Sequence, residues 1–85
     1  MADFLLTFEL EKEAEALCIH GDEVGLRNLQ QAISQLLDTT DPGHFNHEHL
    51  KTPAWGGVEL SEESQGGQPI QHVKLYCWKG KTPQP

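Results

Sequence analysis

Apolar and polar positions alternate at the start of the chain. Over residues 3–11, Phe4, Leu6, Phe8 and Leu10 fall on one side and Leu5, Thr7, Glu9 and Glu11 on the other, the period of a half-buried strand. A polar turn at Lys12 and Glu13 leads to a second strand over 14–20, with Leu17 and Ile19 on one face and Cys18 and His20 on the other. The period then lengthens. Gly21 breaks the alternation and Asp22 suits a helix N-cap, its carboxylate accepting from a first-turn amide. Leu26, Leu29, Ala32, Ile33, Leu36 and Leu37 form one stripe at helical spacing, read as a core face.

The helix is expected to stop within 38–43, where Pro42 lacks an amide donor and turn formers cluster. Residues 46–51 make a short third strand. Residues 70–79 make a stronger fourth, alternating Val73, Leu75 and Cys77 with His72, Lys74, Tyr76 and Trp78. The order β-β-α-β-β predicts an α+β fold: a small, mainly antiparallel sheet with one helix packed on one face. The other sheet face is expected to show His72, Tyr76 and Trp78. Residues 1–79 read as a single domain and 80–85, with two prolines, as a flexible tail.

Composition narrows the function classes. Eighty-five residues leave room for one hydrophobic core. The formal net charge of −7 opposes contact with nucleic-acid phosphates and favours a basic partner. No apolar run is long enough to span a membrane and no secretory signal opens the chain, so a cytoplasmic location is expected. There Cys18 and Cys77 would be free thiols.

Candidate chemistry is sparse. Three histidines and a carboxylate lie within 44–49, and imidazole is a common metal ligand. On a strand His47 and His49 project to the same side, with His72 a possible third ligand. A small metal-binding domain or metal-dependent enzyme using His44, His47 and His49 is therefore the alternative function. No established metal motif supports it, no cofactor is implied, and neither a nucleophile elbow nor a phosphate loop is present. Glu59, Glu62 and Glu63 are acid/base candidates by proximity alone, and the expectation is a protein that is not an enzyme.

The long connection over 52–69 carries the most unusual residues. Trp55 beside two glycines and an acid cluster has the make-up of a recognition loop, although Trp55 could equally cap the core. Trp55, Glu59, Glu62 and Glu63, supported by Tyr76 and Trp78, are the candidate partner contacts. The stretches HEHL at 47–50, TPAWGGVELSEE at 52–63 and HVKLY at 72–76, with LCIHGDEVGL at 17–26, resemble the immunity protein 32 family of bacterial polymorphic toxin systems. The resemblance implies a protein encoded beside a toxin gene that binds and blocks that toxin in the producing cell, with no catalytic residues. Many such toxins cut nucleic acids and are basic at their active sites, which an acidic inhibitor would meet. A housekeeping module with some other partner is the remaining reading.

Overall fold

The computed structural model describes residues 3–80, so the expected tail beyond Gly80 lies outside the described residues. Strand β1 (Leu6–Glu11) and strand β2 (Ala16–Gly21) form an antiparallel hairpin in which Phe8 faces Ile19 and Leu10 faces Leu17. The hairpin turn is closed by the Ala14 amide donating to the Glu11 carbonyl and the Glu15 amide donating to the Lys12 carbonyl. It puts Glu15 at φ 50, a left-handed conformation that disfavours a side chain.

Helix α1 (Glu23–Thr39) begins where Asp22 Oδ1 accepts from the Gly25 amide at 2.7 Å. Its first turn lies directly on the β1 lead-in, so close that a Cβ on Gly25 would stand 1.8 Å from the Leu5 carbonyl oxygen. The helix ends before Pro42, with the Thr40 hydroxyl donating to the Leu36 carbonyl. Lys79 Nζ closes the same end by donating to the Leu37 carbonyl.

Strand β3 (His44–Lys51) and strand β5 (His72–Lys79) form a second antiparallel pair. A two-residue strand β4 (Gln68–Pro69), inside the stretch expected to be irregular, joins β1 on the side away from β2. The expected α+β order holds, with the strands divided between a three-stranded sheet and a two-stranded one.

The core is small. Leu6, Phe8, Leu50 and Leu60 are buried, and Phe4, Leu29, Ala32, Ile70 and Val73 pack around them. The expected helix stripe is buried only in part. Leu36 is enclosed and Leu29 and Ala32 lie against the core, but Leu26, Ile33 and Leu37 remain 41–48% exposed, because two narrow sheets do not cover the full width of the helix.

The second face of β1 also departs from expectation. Thr7 and Glu9, which the alternation assigns to the outer side, are as buried as Leu6 and Phe8. The 61–67 segment covers them. Ser61 exchanges bonds with Leu6, its amide donating to the Leu6 carbonyl at 2.9 Å and its hydroxyl accepting from the Leu6 amide at 2.9 Å.

Candidate functional site

Alternate residues of β3 from Phe45 to Lys51, and of β5 from His72 to Trp78, share the sheet face turned away from the helix. Their pairing register sets Phe45 opposite Trp78 and His47 opposite Tyr76. The rings stack accordingly. Phe45 and Trp78 have centroids 4.8 Å apart at 21°, and His47 and Tyr76 lie 5.1 Å apart at 25°. Tyr76 and Trp78, next to each other along β5, are 6.2 Å apart at 17°. Despite these contacts Phe45, Tyr76 and Trp78 are 38–48% exposed.

The row continues through imidazoles. His47 meets His49 edge-on at 4.8 Å, and His49 Nδ1 lies 2.7 Å from His72 Nε2, so one ring donates to the other. Burial, reinforced by His49, Lys51 and Lys74, holds the His72 pKa below its ordinary value. Trp55 ends the row, its ring 6.0 Å from His72.

The backbone explains how Trp55 comes to stand there. Thr52 is buried, and its carbonyl accepts from both the Trp55 and Gly57 amides at 2.9 Å, winding residues Pro53–Trp55 into a single 3₁₀ turn. Gly56 closes the turn at φ 83, and Gly57 packs so tightly that a Cβ there would stand 2.4 Å from Lys51 Cβ. The indole is thereby turned outward and 58% exposed, so Trp55 does not cap the core.

The expected contacts therefore divide. Trp55, Tyr76 and Trp78 come together on one face. Glu59 is half-buried and accepts from the Lys51 amide at 3.1 Å, tying the loop to β3. Glu62 and Glu63 are exposed on a different segment, between Ser61, bonded to Leu6, and Gln65, bonded to Glu9.

The expected histidine geometry is met for His47, His49 and His72, while His44 falls on the opposite face of β3. Among the described residues no group of three or more His, Cys, Asp or Glu side chains is placed to hold a metal ion. The cleft between α1 and the 58–59 segment, walled by Phe4, Leu29, Ala32, Leu50 and Val58, offers Glu59 as its one titratable group among the described residues. That is not an acid/base pair. Cys18 and Cys77 are free, and the Cys18 thiol donates to Glu11 at 2.9 Å, which raises its pKa and blunts its reactivity.

Two features were not apparent from sequence. Phe45 completes the aromatic row; its place opposite Trp78 needed the register, which the spacing of residues alone does not give. Glu9 is fully enclosed, its carboxylate accepting from the Gln65 and Gly67 amides at 2.9–3.0 Å, from Ser64 Oγ at 3.1 Å and from Thr7 Oγ1. Burial alone would raise its pKa, but these donors outweigh burial and hold it at about 2 against an ordinary 4.5.

The model of the immunity protein 32 family matches residues 16–73, well over half of the chain. The chain belongs to that family. Membership implies a toxin-neutralising role. The matched region spans α1, β3 and the whole Trp55 loop and ends inside β5. Neither curated proteins nor solved structures provide a match. No helix of the described residues is long and apolar enough to cross a membrane.

Proposed function

We propose that this protein binds the toxin encoded beside it in the producing cell and blocks it, using the aromatic face of β3 and β5 with Trp55 at its end. The observation that carries this reading is the exposed row itself. Exposed aromatics gathered on one rigid face are the common anchors of protein interfaces, and a soluble domain rarely leaves such a row unpartnered. Family membership supplies the class of partner.

A toxin that cuts nucleic acids suits the exposed Glu62 and Glu63 and the net charge of −7, since acidic groups would be drawn to a phosphate-binding surface. The cell compartment in this reading is the cytoplasm.

The test is co-expression with the toxin domain of the adjacent gene. Wild-type protein should restore growth and co-purify with the toxin. The Trp55→Ala, Tyr76→Ala and Trp78→Ala triple variant, first shown to be folded by circular dichroism, should do neither. Full protection by the folded triple variant would move the inhibitory surface elsewhere.

A further inference from the structure

The charge carried by the aromatic face differs from that of the molecule. The chain as a whole stands at −7, yet the β3 positions from Phe45 to Lys51 and the β5 positions from His72 to Trp78 on this face include no acid. They include Lys51, Lys74 and three histidines. Lys74 is exposed, and Lys51, paired with His72, is half-buried. The nearest carboxylate in sequence, Glu48, projects from the other side of β3.

Ring geometry adds a second constraint. Rings stacked across neighbouring strands have planes roughly perpendicular to the strand-to-strand direction, so their faces are turned toward each other and their edges toward solvent. Trp78 is covered by Phe45 on one side with Tyr76 parallel to it, and Tyr76 is covered by His47. An aromatic ring is electron-rich on its face and electropositive at its edge. The row thus offers positive edges flanked by ammonium and imidazole groups, while one face of each of Phe45, Trp78, His47 and Tyr76 is taken by its cross-strand partner.

We infer that the partner surface seated on the β3–β5 face is an acidic protein surface, rich in carboxylate and carbonyl oxygens. This rests on the toxin-binding reading above and gives it a polarity. The toxin would set carboxylates over Lys74 and the ring edges.

Binding of the adjacent-gene toxin domain to wild type, Lys74→Gln, Lys74→Glu and the Lys51→Glu/Lys74→Glu double variant, measured at two salt concentrations, tests this. Lys74→Glu should weaken binding about tenfold or more, mainly through slower association, with Lys74→Gln between it and wild type. Unchanged circular dichroism and melting temperature guard against misfolding, and Lys74→Glu, altering one exposed side chain, keeps the test open if the double variant does not fold. A dT10 oligonucleotide serves as counter-probe on the free protein. If wild type binds the toxin and the folded Lys74→Glu variant binds it equally well, or more tightly, the acidic-partner inference falls while the toxin-binding reading stands. If wild type forms no complex, the toxin-binding reading itself falls. Oligonucleotide binding that shifts the tryptophan fluorescence and is abolished by Lys74→Glu would assign the face to nucleic acid and overturn the inference.

Discussion

The 52–67 loop and the outer face of β3 and β5 reverse the usual relation between regularity and burial. The loop holds four glycines and little regular structure, yet it contributes Leu60 at 0% exposure and Ser61 and Thr52 at 2%. The sheet face is regular, and it leaves Phe45, Tyr76 and Trp78 more than a third exposed. In the loop, order comes from backbone groups satisfied one by one: Thr52 and Lys51 carbonyls, the Leu6 backbone and the Glu9 carboxylate each fix a point. Backbone amides that leave water need partners, and a carboxylate with several lone pairs can serve three or four donors at once. On the sheet, pairing already satisfies the backbone, so side chains on the outer face are free to be chosen for a partner.

This contrast makes the loop's fastening the most sensitive point for stability. Glu9→Ala should produce the largest loss, about 3 kcal/mol or more, since it empties a fully buried position and removes the one carboxylate that the Gln65 and Gly67 amides and the Ser64 and Thr7 hydroxyls share. A urea midpoint close to wild type would mean that the segment closes over β1 without that anchor. Next comes Gly57→Ala. Its new methyl group meets the Lys51 carbonyl oxygen at 2.6 Å as well as Lys51 Cβ, so backbone must move, at about 2 kcal/mol. A high-resolution structure of the variant with the 52–60 turn unmoved would show that β3 gives way instead.

Acid should separate the two regions. The Glu9 carboxyl is held at about 2 in the folded chain and would return to about 4.5 when unfolded. Its stabilisation is therefore complete above about 4.5 and lost as pH falls toward about 2. On the face, His72 has its pKa lowered from 6.5, so the neutral form is favoured and stability is lost as pH falls from 6.5 through the lower folded value. Stability measured against pH should accordingly show two declines. Glu9→Gln should remove most of the lower one and His72→Gln the upper one; loss of both declines in a single variant would show that the regions unfold as one electrostatic unit.

What sequence could foresee follows the same division. Asp22 as N-cap, the strand alternation of His72, Tyr76 and Trp78, and the meeting of His49 with His72 are local or two-strand patterns, and all were legible. Glu9 was not, because all its donors but Thr7 sit more than fifty residues away and a lone acid on a strand's polar side has the pattern of an exposed one. The helix stripe misled for a related reason. Spacing shows that Leu26, Ile33 and Leu37 could be covered, and only the width of the sheets decides whether they are. Trp55 was undecided between core and surface until the turn around the Thr52 carbonyl fixed its direction.

Trp55→Ala should have the smallest effect on stability and the sharpest meaning. The indole is 58% exposed and meets the His72 ring at a tilt, 6.0 Å away, so little apolar area is withdrawn from water. Removal should therefore cost under about 1 kcal/mol of folding free energy, where a buried tryptophan would cost about 3 or more. The bonds that shape the turn belong to the backbone of Thr52, Pro53, Gly56 and Gly57, and alanine at position 55 retains the one amide it contributes. If the row is the interface, the same substitution should cost about 2 kcal/mol of toxin binding, the scale of a buried aromatic anchor. Chemical denaturation and binding of one purified variant give both numbers. A stability loss as large as that of Gly57→Ala would make Trp55 a structural part of the loop and break the division; a binding loss with stability intact would place Trp55 with the sheet face in function, although the loop's hydrogen bonds hold it there.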